Sequence, residues 1–226
     1  MPLIVLLSII IFCIYAPSWW AKYILNKYNR NEYFSGTGRD LARILLDENN
    51  LEKVMVEETN TGDHYDPVEK VVRLNPETCN KKSLTAIVIA AHEVGHAVQD
   101  ASFYGPLKFR TRFIGMALLA EKIGAGLIMA VPVVTLITRV PAAGVLMFAG
   151  GFASLGLPVI IHLVTLPVEF DASFNRAMKF FESGKYIPDE DLPAARSILL
   201  ACALTYVAGA LAGLLNIWRW IRVLRR

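Results

Sequence analysis

Long uncharged stretches alternate with dense polar ones along this chain. Met1 to Ala21, Val140 to Val168 and Ser197 to Trp218 contain no Lys, Arg, Asp or Glu. Each supplies the roughly 20 apolar residues that a helix needs to cross a hydrocarbon core about 30 Å thick. A further stretch, Ile123 to Thr138, is shorter and carries Pro132. It reaches spanning length only if its helix begins near Phe113, which brings Glu121 and Lys122 to interfacial depth. The pattern predicts a mainly α membrane protein with about four transmembrane helices, over 1–21, 113–138, 140–166 and 197–218. Polar segments at 22–112 and 167–196 separate them.

The first stretch reads as a retained anchor rather than a cleaved leader. No base precedes it, Lys22, Lys27 and Arg30 follow it, and Trp19 and Trp20 suit an interfacial aromatic belt. Gly209 and Gly213 in the last span permit close helix approach. Composition agrees: 54% of the 226 residues are hydrophobic, only 19% are charged, and the mean hydropathy is +0.42. Those values exclude disorder and collagen-like repeats. A net charge of +3 marks no nucleic-acid partner, and three scattered cysteines form no disulfide framework and no metal knuckle. More Lys and Arg flank the spans on the side of 22–112 and 169–196 than on the side of Arg139, Arg219, Arg222, Arg225 and Arg226. The larger polar segments are therefore expected in the cytoplasm.

Residues 22–112 have the pattern of a small α+β unit. Leu41, Ile44 and Leu45 recur at helical spacing within Arg39–Leu46. Lys53–Glu57 and Val71–Leu74 read as short strands, and the turn-rich Asn60–Pro67 between them predicts a β-hairpin with a long loop. A breaker-poor run over 82–100 then predicts a helix that is apolar nearly all round and buried on most sides.

That helix carries His92-Glu93-Val94-Gly95-His96. Positions i and i+4 share one helix face, so both imidazoles can reach a single Zn²⁺ at about 2.0–2.1 Å, while Glu93 stands beside the place of an activated water. Catalytic zinc takes a third protein ligand and keeps one position open. Glu169, His162 and His64 are the candidates. Glu169 is favoured, because it follows the third span directly and lies on the same side as the motif helix, with Pro167 suited to a first helical turn. Asp171 faces elsewhere and suits a supporting acceptor. His162 sits within an apolar span, where an ionisable group calls for a functional account, although a neutral imidazole bonded to a neighbouring helix is the plainer one. His64 lies in a turn-rich loop, where it either meets a reaction's oxyanion or is simply solvated.

Together, Ala91–Gln99, Asp63–Pro67 and Leu166–Ser173 resemble the bacterial YugP-type neutral zinc metallopeptidases over nearly the whole chain. A more distant similarity is to the Ste24- and HtpX-like peptidases, whose third ligand opens an E-[FY]-x-A-D block. Glu169-Phe170-Asp171-Ala172 matches its start, and Ser173 stands in place of the Asp. The resemblance implies a multi-pass, gluzincin-like zinc metalloendopeptidase of the bacterial cell membrane acting on peptides or membrane proteins. On that reading His92, His96 and Glu169 hold the metal, and Glu93 is the general base. His64, Tyr65 and Arg176 are candidate oxyanion donors, Asp171 is a supporting residue, and Val71–Leu74 aligns an extended substrate. The rival is a non-catalytic membrane adaptor or holdase with a closed structural zinc, which needs a fourth ligand from His64, His162 or Asp171.

Overall fold

The computed structural model describes residues 2–29, 35–154 and 156–214. Arg30, the last residues of the predicted final span and the basic tail at Arg219, Arg222, Arg225 and Arg226 lie outside the described residues. The chain opens with α1 (Pro2–Lys27), whose uncharged run ends at two lysines near its C-terminus. Polar side chains take up the end of α1: Thr85 Oγ1 donates to the Leu25 carbonyl at 2.9 Å, and Ser83 Oγ donates to Asn29 Oδ1 at 2.7 Å.

Helix α2 (Gly38–Glu48) begins with a capping box, in which the Thr37 hydroxyl accepts from the Asp40 N–H and the Asp40 carboxylate accepts from the Thr37 N–H. Leu41, Leu45 and Leu46 form its buried stripe, whereas Ile44, assigned to that stripe from the sequence, is 38% exposed. Three strands follow, β1 (Met55–Glu58), β2 (His64–Asp66) and β3 (Val71–Leu74), in the order β1-β3-β2.

The expected hairpin between the first and last of these strands is not formed. β1 and β3 pair in parallel, with Met55 opposite Val71 and Glu58 opposite Leu74. The connection itself contains β2, which turns through Pro67–Lys70 and pairs antiparallel with β3. That intervening strand supplies one reversal more than a hairpin has, so β3 enters the sheet running the same way as β1. Val71, Val72 and Leu74 are buried, as a central strand requires, and Arg73 faces outward to pair with Asp66, Glu57 and Glu69.

After the short α3 (Pro76–Asn80) comes α4 (Leu84–Ala101), capped by Ser83. α4 packs against α2, the sheet and the C-terminal helices, which is why it is apolar on nearly every side. Helix α5 runs from Gly105 to Thr138, so Lys108, Arg110 and Arg112 stand in its first turns. It ends at Arg139 in the left-handed conformation, and α6 (Pro141–Ser154) packs back along it. Helix α7 (Leu157–Phe170) leads without interruption into a wide π-helical stretch, Asp171–Ala177, and then α8 (Met178–Glu182). A final α9 (Leu192–Leu214) packs between α1 and α7. Among the described residues, three helical runs are long and apolar enough to cross a membrane: Gly105–Thr138, Pro141–Glu182 and Asp189–Leu211. The protein is thus mostly helical, with a small mixed sheet beside the motif helix.

Candidate metal centre

The second half of α4 meets the end of α7, and the π stretch that follows it, in the interior. His92 Nε2 lies 3.1 Å from Glu169 Oε2, and His96 Nε2 lies 3.4 Å from the same oxygen. One donor atom from each of the three residues falls within 4.8 Å of the others, and all three residues are buried. Two imidazole nitrogens and a carboxylate at this spacing fit Zn²⁺, which binds such donors at about 2.0–2.2 Å around a tetrahedral centre. The alternatives lie elsewhere: neither His64 nor His162 belongs to this group.

The outward ring nitrogens are also engaged. His96 Nδ1 donates to Gln99 Oε1 at 3.0 Å, and the Gln99 amide in turn donates to the Val168 carbonyl and to Asp171 Oδ2, each at 2.8 Å. His92 Nδ1 lies 3.1 Å from the Ser173 hydroxyl. With hydrogen on both Nδ1 atoms, both Nε2 lone pairs face Glu169, the tautomer that a metal needs. In that tautomer the Ser173 hydroxyl accepts from His92 Nδ1.

Two features allow α4 and the π stretch to come so close. Gly95, inside the motif, has no side chain, and a Cβ there would sit 2.8 Å from the Ala172 carbonyl. The π stretch widens the helix just past Glu169, a distortion that recurs at functional sites. Glu169 and Ser173 both turn toward His92, whereas Arg176 pairs with Asp171 at 3.3 Å.

Glu93 lines a cavity of about 220 Å³ with His96, Asp63, His64, Arg110 and Tyr206. Burial pushes its carboxyl up to about 7, against the pull of neighbouring His92. Arg110 approaches Glu169 Oε1 at 3.4 Å from α5. Burial raises Asp63 above the usual carboxylate range although Asn75 donates to it. Two of the three expected oxyanion donors are committed elsewhere: the Tyr65 hydroxyl donates to Asp100 at 2.7 Å, and Arg176 is held by Asp171. His64 does line the cavity, with Nδ1 2.9 Å from the Gly62 carbonyl. His162 packs its ring against Gly209 and Tyr206 on α9.

Sequence reasoning gave no site role to Gln99, Arg110 or Tyr206. Gln99 stands three residues after His96, the spacing at which helical side chains meet. Tyr206 is the one tyrosine of the uncharged stretch Ser197–Trp218. Both signals were present without a partner to give them meaning.

Two imidazoles one helical turn apart, with a carboxylate from a distant helix beside them, make a candidate zinc centre. The chain belongs to the family described as "Putative neutral zinc metallopeptidase", which matches residues 3–225. Zinc is therefore its cofactor. It is 34% identical over 213 residues to the "Putative membrane protease YugP" of Bacillus subtilis (strain 168), covering 91% of each chain. No solved structure matches.

Proposed function

We propose that this chain is a multi-pass membrane endopeptidase in which His92, His96 and Glu169 hold Zn²⁺ and Glu93 is the general base. The observation that carries the proposal is the buried three-donor cluster with a glutamate beside it at the wall of a cavity. Helix α1, uncharged through Ala21 and packed along α9, adds a fourth crossing to the three apolar runs. The excess of flanking bases on the side of the sheet and α4 supports a cytoplasmic site.

Bound zinc supplies a polarised carbonyl and a water whose pKa falls to about 7. Glu93 accepts a proton from the attacking water and delivers it to the departing amine. Arg110 and Tyr206, with His64 across the cavity, offer donors to the developing oxyanion. An extended peptide pairs with β2 rather than β3, because β3 already has a neighbour on each side while β2 is an edge strand beside the cavity.

A structural zinc in an adaptor would need a fourth protein ligand, and the described residues offer three around one point. In the decisive experiment, Glu93→Gln retains about one zinc per chain but loses roughly 10²–10⁴-fold in peptide hydrolysis, whereas His92→Ala loses metal and activity together. Metal analysis and a peptide digestion assay on purified protein read both. Hydrolysis at the wild-type rate by Glu93→Gln removes the general-base assignment.

A further inference from the structure

The cavity in front of Glu93 has two kinds of wall. One is the polar β2 region, with Asp63, His64 and Tyr65. The other is Leu107 and Ile114 on α5 with Tyr206 on α9, both of them helices apolar enough to cross a membrane.

The helices around the cavity change from charged to uncharged sequence near it. On α5 the bases Lys108, Arg110 and Arg112 give way to the uncharged run Phe113–Ala120, which Glu121 and Lys122 separate from the longer uncharged run Ile123–Thr138. On the helix carrying Glu169, that residue is the first charge after Val140–Val168. On α9 no charge follows Arg196 before Leu214. Lys and Arg at such positions extend to the headgroup layer while their stems stay among apolar groups. Phe109, Met116 and Leu119 on α5 and Phe170 on α7 are exposed, so the outer surface around this wall is apolar as well. On α5 and on the helix carrying Glu169, a change from charged to uncharged sequence therefore falls at the site.

A polar segment in bulk water gains nothing from the α5 and α9 wall. A polypeptide leaving a bilayer presents apolar residues on one side of a bond and polar residues on the other, which matches the two walls. Resting on the peptidase reading above, we infer that the substrates are membrane-anchored polypeptides, cut in the stretch adjoining the bilayer. Their apolar side lies along α5 and α9, and their polar side pairs with β2.

The test uses the zinc-loaded full chain in phosphatidylcholine vesicles containing phosphatidylglycerol, with three polypeptides that share one unstructured segment of mixed sequence. In the first the segment adjoins a single apolar span. In the second a Gly/Ser spacer of about 40 residues, with an average reach of roughly 35 Å, separates the two. The third lacks the span. The first two share the same confinement to the membrane, so local concentration alone does not separate them. The adjoining segment is expected to be cut at least about tenfold faster than the spaced one, with cleavage sites mapped by mass spectrometry clustering at the bilayer edge. Equal cutting of the spaced or span-free polypeptide overturns this inference and leaves the peptidase reading intact. If none of the three shows cleavage that depends on Glu93, both fall.

Discussion

The carboxamide of Gln99 serves three partners at once: it accepts from His96 Nδ1 and donates to the Val168 carbonyl and to Asp171. It is fully buried, so no water can replace it. Gln99→Leu keeps the volume but leaves the imidazole N–H without an acceptor and frees the ring to rotate or change tautomer. Zinc affinity is expected to fall by about 10–100-fold, as for other supports of metal-bound histidine, measured by competition with a calibrated chelator. An affinity within twofold of wild type would show that ring orientation is set elsewhere. Gly95→Ala tests a different requirement. The added methyl meets the Ala172 carbonyl, backbone that cannot swing aside, and forces α4 away from the stretch that carries Glu169. A loss of about 1–3 kcal/mol, the usual cost of overpacking, should appear as a lower melting temperature in detergent. Unchanged melting would mean that the two segments separate without strain.

At the scale of elements, what local signals encode was legible and what distant pairing decides was not. The motif helix, α2 and the uncharged helices follow from periodicity and charge, because each is closed by its own backbone bonds. The sheet is different: strand type can be read along Lys53–Glu57 and Val71–Leu74, but parallel pairing depends on β2 forming between them, and three residues carry little pattern. The π stretch, which packs against Gly95, is likewise silent in sequence. The His92–His96 pair was visible for the converse reason, both ligands lying on one helix. Its supports, Gln99 and Ser173, gain meaning only once α7 is in place. Local coding is testable at α2. The Thr37 backbone N–H and hydroxyl, which donate to Asp40, hold its carboxyl below the ordinary value. A lowered carboxyl contributes stability that is present above the ordinary carboxylate range, near pH 4, and is lost as pH falls through the lowered value. Thr37→Ala should cost about 1 kcal/mol near neutrality. In thermal melts its deficit relative to wild type should shrink toward pH 2 or so, as Asp40 protonates in both. A deficit independent of pH would mean that the carboxylate contributes nothing to the cap.

For the whole molecule, the proposed ligand set joins two parts that differ in their surroundings. His92 and His96 belong to the core shared with α2 and the sheet, whereas Glu169 ends a helix of the apolar bundle and is completely buried. A metal held by all three acts as a rivet between these parts, and the folded chain gains RT ln(1 + [Zn]/Kd), about 4 kcal/mol at a thousandfold excess over Kd. Removing it leaves the buried Glu169 carboxylate facing His92 and His96, with Arg110 at 3.4 Å as a further neighbour. Chelation should therefore lower the melting temperature and raise amide exchange in the second half of α4 and over 169–177, where the joint lies. The α5–α6 hairpin packs through its own small residues, with Gly124 against Ser154 and Gly144 against Thr135, so its exchange should stay as it was. If chelation loosens that hairpin as much as the joint, the metal stabilises the fold globally rather than fastening one part to the other. If exchange at the joint does not change at all, His92, His96 and Glu169 are not where the zinc is held.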